Sequence, residues 1–360
     1  MSGGLFGRGK APERACLKIE HWPKEDRNLW GTACRPADIL DIEAGARSGH
    51  RAISNRKAEK GYGRWLTYLN VMDREVLQLA AEGRITTGRV KAYVTQLRGL
   101  SNSAQTILAR LQELGEVARV LNPTRDWSFI NRMAGRIRAC RTPARSKSHL
   151  KLSEELVELG FALMAQAQLK TGLEAAILFR DGLIIGFLAL VPLRRKNLAR
   201  LHLRHNLMAC AGCWTVILEA EETKTSGVLE IAWPEVLVDP LVTYLEVHRP
   251  HLMAREGRWT SAVTDELWIS KDGSPMTEMA IYDRIRARTG EAFDKPLNPH
   301  LFRDAAATTL AIGDPAHVRV AAPLLGHRSF ASTEKYYQQA TAMSAHRDYI
   351  EAIQQRKNAR

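Results

Sequence analysis

Apolar positions recur with helical spacing through most of the first third of the chain. The segment 83–100, GRITTGRVKAYVTQLRGL, carries a cap signal at Thr86-Thr87 and then a helical pattern. In the following SNSAQTILARLQELGEVARVL, Ile107, Leu108, Leu111, Leu114 and Leu121 fall on one helical face, and Asn122-Pro123 ends the run. The pattern predicts a small all-helical domain that is helical from about 35 to 125. Residues 1–20 are rich in Gly, Lys and Arg and lack apolar periodicity, which reads as a loose basic arm.

From residue 153 the pattern is again helical (SEELVELGFALMAQAQL, then the apolar run LIIGFLALVPL, 183–193). It then changes period. WTVIL, 214–218, and VLEIAW, 228–233, read as strands around a hairpin turn EAEETKTSG, 219–227, with Pro234 closing the second. LHLRHNL, 201–207, reads as a further strand. Helices resume at Pro240–His248 and are expected to continue to the end. The predicted fold class is therefore mainly α with a small antiparallel β-sheet, α+β. The expected organisation is a flexible arm over 1–20, a helical domain over 21–135, a basic linker over 136–152, a second domain over 153–345 and a tail over 346–360.

Charge narrows the partner. Lys and Arg number 52 against 39 Asp and Glu, a net of +13 over 360 residues. An excess of that size attracts polyanions, nucleic acid first among them. Arg132, Arg136, Arg138, Arg141, Arg145, Lys147 and Lys151 run without an acidic residue between Asp126 and Glu154, which suits a strap along a phosphate backbone. An anionic membrane surface is disfavoured. The most apolar stretch, 183–193, is 11 residues long and flanked by charges, whereas a spanning helix needs about 20. The N-terminus lacks the apolar centre of a signal peptide. Five scattered cysteines suggest a reducing, cytoplasmic setting. Cys210 and Cys213 form a C-x-x-C just after His202 and His205, but positions three apart on a strand face opposite ways, so a hairpin turn is expected there rather than a metal site.

The candidate chemistry lies toward the C-terminus. His300-Leu-Phe-Arg303 is an H-x-x-R; Leu-Leu-Gly-His327 follows, and Tyr336 stands nine residues beyond His327. Upstream is VPLRRKNLARL, 191–201, containing Arg194. This ordered set resembles the tyrosine recombinase (phage integrase) family over roughly 150–340, with the helical region before it similar to that family's core-binding domain. The resemblance implies a site-specific DNA recombinase or integrase that cleaves and rejoins strands through a covalent 3′-phosphotyrosine. The residue types suit that reaction. A covalent intermediate conserves the energy of the phosphodiester bond. Planar, permanently charged guanidinium groups match the charge gathering on the phosphate oxygens.

By that resemblance the site is Arg194, Lys224, His300, Arg303, His327 and Tyr336. Tyr336 attacks phosphorus, Arg194 and Arg303 hold its oxygens, Lys224 in the hairpin protonates the leaving 5′-oxygen, and the two histidines serve the phenol proton and the phosphate. Lys271, Arg195 and Tyr337 stand as alternatives for the lysine, the first arginine and the nucleophile. Against the family pattern G-L-R-x-x-E-L, Pro192 replaces Gly and Asn197 replaces Glu; Asp304 also departs from the common residue after the H-x-x-R. Expected partners are double-stranded DNA bearing specific recombination sites, a homotetramer on that DNA with a monomer in solution, and accessory proteins, with no membrane, cofactor or metal ion. The tail, with Tyr349, Ile350 and Ile353, would contact a neighbouring protomer. The alternatives are a type IB topoisomerase or telomere-resolving enzyme on the same core, or a catalytically impaired DNA-binding relative. A two-metal nuclease is disfavoured, because no clustered carboxylates stand out.

Overall fold

The computed structural model describes residues 15–36, 45–140, 150–210, 213–223, 227–254 and 264–313. The chain divides into two compact units, Met1–Ser146 and Lys147–Arg360, each with its own apolar core.

The first unit is helical: α1 (Lys24–Ala33), α2 (Ala52–Met72), the short α3 (Ala81–Arg84), α4 (Thr87–Gly99), α5 (Ala104–Leu121) and α6 (Ser128–Ala139). The predicted cap at Thr86 forms, and Ser103 supplies a second one. The Thr86 hydroxyl accepts the Arg89 N–H at 3.3 Å, and the Ser103 hydroxyl accepts the Thr106 N–H at 3.2 Å. Ile107, Leu108, Leu111, Leu114 and Leu121 are all buried, and α5 ends at Asn122. In α2, Tyr62, Trp65, Leu66 and Leu69 form the matching buried stripe.

Two expectations are corrected here. Residues 15–22 are not a loose arm. Ala15, Leu17 and Trp22 are buried, and the Leu17 N–H donates to Gly63 O and to the Thr67 hydroxyl. Three apolar side chains without helical spacing carry that docking, so periodicity could not reveal it; residues 1–14 lie outside the described residues. Arg136 and Arg138 stand in the last turn of α6 rather than in a linker; residues 141–149 also lie outside the described residues.

Gly63 makes the docking of 15–17 possible, because a Cβ there would meet Leu17 O and, at 2.9 Å, Cys16 Sγ. Gly63→Val is expected to lose about 1–3 kcal/mol of stability and to expose the chain before residue 22 to protease. An unchanged urea midpoint and digestion pattern would refute the docking.

The second unit opens with α7 (Ser153–Gln168) and α8 (Gly172–Leu190). Residues 183–189 of α8 are fully buried, and the chain leaves the helix at Leu190, so Val191–Leu193 is buried non-helical backbone. The two helices meet through glycines: a Cβ on Gly160 would lie 2.7 Å from Gly186 N, and one on Gly182 would lie 2.6 Å from Gly160 O. A five-residue helix, α9 (Arg195–Ala199), follows. Three antiparallel strands, β1 (Leu207–Cys210), β2 (Cys213–Leu218) and β3 (Leu229–Ala232), form a sheet in sequence order. Leu207 pairs with Val216, and Ile217 with Glu230.

The rest of the unit is α10 (Val238–Thr243), one π turn over Tyr244–His248, α11 (Arg249–Met253), α12 (Glu278–Phe293) and α13 (Pro299–Gly313). The architecture is mainly α with a small antiparallel sheet, as the sequence predicts.

The segment 201–207 is not one strand: His202 bridges to Glu266, the chain turns over 204–206, and Leu207 begins β1. Arg204 has φ 65, and Asn206 and Leu207 N–H both return to His202 O. The Asn206 side chain spans to Ile217 O and Glu222, which fixes that turn beside the sheet. Cys210 and Cys213 are register partners at the far end of β1–β2. With a rise of about 3.3 Å per residue, β1 holds them roughly 10 Å from its start, where the histidines lie. Among the described residues no cluster of His, Cys, Asp or Glu is arranged to hold a metal ion, and no helix is long and apolar enough to cross a membrane. Helices also do not run unbroken after Pro240. Residues 264–277 are extended and turned, with an Ile269–Pro275 bridge and Gly273 at φ 83.

Candidate active site

Arg194 is the N-cap of α9, with extended backbone (φ −68, ψ 140). Its carbonyl accepts the N–H groups of Asn197 and Leu198 at 2.8 and 3.0 Å, starting the helix, and Trp268 Nε1 holds the other end at Leu198 O, 3.0 Å. The segment before it is tight. The Leu193 N–H donates to Val191 O at 2.7 Å, a three-residue turn centred on Pro192. The ring of proline supplies the negative φ that such a turn requires.

The second element is α13. The Asn298 side-chain oxygen accepts the His300 N–H at 3.0 Å, and its carbonyl accepts the Leu301 N–H at 2.9 Å. His300 is exposed in the first turn. Arg303, one turn on, is 8% exposed, and its Nη1 donates to Pro192 O. That bond ties α13 to the backbone leading into Arg194.

A cavity of about 570 Å³ opens where these elements meet. Arg194, Arg195, Lys196, His300 and Arg303 line it, with Leu193, Asn298, Pro299, Glu278 and Tyr282. Three guanidinium groups and one lysine line the same cavity as a single carboxylate. The first turn of α13 adds the positive end of its peptide dipoles, which favours an anion. Burial lowers the pKa of the half-buried Arg194, although a guanidinium stays charged at any physiological pH. Chemically, this is a site for a phosphate group held by forked donors.

The wall opposite Arg194 is α12. Arg195 pairs with Glu278 at 3.5 Å and lies 5.3 Å over the ring of Tyr282; Arg286 lies over the same ring at 5.4 Å. Beneath α12, the buried Asp181 of α8 receives Arg284 at 2.6 Å, Arg288 at 3.0 Å and its own neighbour Arg180 at 2.7 Å. Arg180 also donates to Ile269 O at 2.7 Å.

Three of the six expected site residues, Arg194, His300 and Arg303, thus line one cavity. Lys224, His327 and Tyr336 lie outside the described residues, as does Tyr337. Flanking Lys224, the Thr223 hydroxyl donates to Gly227 O and accepts the Gly227 N–H at 2.8 and 3.1 Å. The alternative Lys271 sits in an exposed turn closed by Ser270 N–H to Ser274 O at 2.7 Å. Glu278, Tyr282 and Asn298 were not expected in the site. Only Asn298 had a local signal, as a capping residue beside Pro299.

A profile of the phage integrase family matches residues 162–343, slightly over half the chain and all three cavity residues named above. The chain belongs to the phage integrase family. This places it among the tyrosine recombinases, enzymes that transfer DNA strands. The tyrosine recombinase XerD of Chlorobaculum tepidum is 24% identical over 281 residues, covering 75% of this recombinase and 84% of the relative. XerD of Pseudomonas putida is 39% identical over 80 residues, 22% of this chain and 26% of that one. Two crystal structures of the XerH site-specific recombinase share the fold. The pre-cleavage complex with difH has a TM-score of 0.55 at 14% identity, and the post-cleavage complex with palindromic difH has 0.57 at 13%. Each covers 89% of this recombinase and 93% of the other chain.

Proposed function

We propose that the protein is a cytoplasmic site-specific recombinase that cuts and rejoins duplex DNA through a 3′-phosphotyrosine formed by Tyr336. The observation that carries this reading is the cavity where Arg194, His300 and Arg303 converge beside a helix N-terminus. The Tyr336 oxygen bonds to phosphorus and the bond to the 5′-oxygen breaks; Lys224 gives that oxygen its proton. Arg194 and Arg303 hold the non-bridging oxygens while charge builds on them. Of His300 and His327, one takes the phenol proton and the other hydrogen-bonds the phosphate. Attack by a 5′-hydroxyl reverses the sequence, so no cofactor or metal ion enters.

The helical unit around α2 and α5 serves as the core-binding domain, and the basic run from Arg132 to Lys151 follows the phosphate backbone. Affinity then rests mainly on phosphate contacts and falls with salt. Four protomers bring two DNA sites together, the tail 346–360 docks on a neighbour, and accessory proteins assist the pairing.

The test uses a nicked duplex carrying a site that the full-length protein selects from a pool of random-sequence duplexes. The expected result is a detergent-stable protein–DNA adduct whose modified peptide carries the nucleotide on Tyr336. Modification of Tyr337 would reassign the nucleophile. Absence of any adduct would overturn the reading, and relaxation of plasmid lacking the selected site would favour a topoisomerase.

A further inference from the structure

We propose that Glu278 is a positioning residue for strand cleavage, acting through Arg195 and Tyr282 on the backbone that presents Arg194. The inference rests on the proposed function. Glu278 is out of place by charge: it is the single carboxylate lining a cavity of cations suited to an anion. Stability does not account for it, because both partners of the Glu278–Arg195 pair are about two-fifths exposed (40% and 39%). A pair so wet contributes little to folding.

What the pair does is geometric. Glu278 and Tyr282 are four apart on α12, so both face the same way. Together they hold the Arg195 guanidinium from its edge and its face, while Arg286 lies over the same ring. Arg195 is the first residue of α9, directly after the Arg194 cap. Anchoring its side chain fixes the turn from which Arg194 reaches the cavity. The wall itself is fixed, because Arg284 and Arg288 tie α12 to the buried Asp181. When a phosphate enters and water leaves, the Glu278–Arg195 attraction strengthens in the lower dielectric, so the hold tightens when cleavage needs it.

The two roles open to Glu278 differ in sign. A carboxylate that merely stands near the phosphate repels it; neutralising it would tighten DNA binding and leave cleavage equal or faster. A positioning carboxylate, once neutralised, leaves binding equal or tighter but slows cleavage, since displacement of a guanidinium by about 1 Å costs up to about 100-fold in rate.

The experiment compares the full-length wild type with Glu278→Gln, Arg195→Gln, their double variant, Tyr282→Leu and Tyr282→Phe. The probe is the nicked duplex bearing the selected site. Single-turnover adduct formation at saturating DNA, DNA affinity and melting temperature are read for each. Glu278→Gln is expected to slow adduct formation by about 10-fold or more, with affinity equal or tighter and Tm shifted by no more than about 2 °C. The double variant should be no slower than the slower single one, because both changes cut the same link. Tyr282→Phe, which keeps the ring, should recover the rate lost in Tyr282→Leu. Cleavage by Glu278→Gln as fast as wild type, or rate losses that multiply in the double variant, would overturn the inference alone. If the wild type itself forms no adduct, the proposed function falls and this inference with it.

Discussion

Arg303→Lys is expected to cut adduct formation at saturating DNA by about 100-fold to 1,000-fold, a loss of roughly 3–4 kcal/mol of transition-state stabilisation. The change keeps a positive charge, so a purely Coulombic role would survive it. The structure gives Arg303 two tasks that one ammonium cannot share. Its Nη1 is committed to Pro192 O, and the same side chain lines the cavity. A planar fork can hold a carbonyl with one arm and a phosphate oxygen with the other; a lysine offers a point charge on a flexible stem. DNA affinity should change little, because it sums over many phosphate contacts. A lysine variant that cleaves within threefold of wild type would show that the fork geometry is irrelevant.

The second large effect is on stability. Asp181→Leu should destabilise the second unit by about 3–5 kcal/mol, because it leaves buried guanidinium charge without its counterion. Arg180 is 2% exposed and Asp181 1%, and Arg284 and Arg288 share the same carboxylate. For a unit of this size each kcal/mol moves the melting temperature by about 2–4 °C, so a fall of about 6–20 °C is expected. Asp181→Asn keeps an acceptor but not the charge and should fall between. A leucine variant melting at the wild-type temperature would mean that the three arginines find water or other partners without cost.

Periodicity and caps were sufficient for the elements whose stability is local or one-sided. The α5 stripe from Ile107 to Leu121, the Thr86 cap and the β2–β3 pair of the hairpin all follow from neighbours in sequence. The misses share a physical cause, which is contacts between residues distant in sequence. Leu17 is buried because Gly63, on another element, leaves room for it. The turn over 204–206 exists because Asn206 finds Ile217 and Glu222, which no alternation of polar and apolar residues announces.

The site divides the same way. The H-x-x-R and Arg194 were both legible only through the resemblance, and the structure places all three side chains on one cavity. Glu278 and Tyr282 were not legible, since an acidic residue in the first turn of a helix is ordinary by itself. Their place depends on α12 being held at the cavity by Asp181, a charge that sequence reads only as a flank of the apolar run 183–193 and that the fold buries.

The bond from Arg303 ends on a main-chain oxygen, and this changes how variation at position 192 is to be weighed. An acceptor that every amino acid carries cannot be lost by substitution; only the path of the backbone can lose it. Proline reaches the bend through constraint, and a glycine there, free to adopt the same dihedrals, would offer the same oxygen to the same guanidinium. Drift at this position is therefore silent in the chemistry as long as the bend persists.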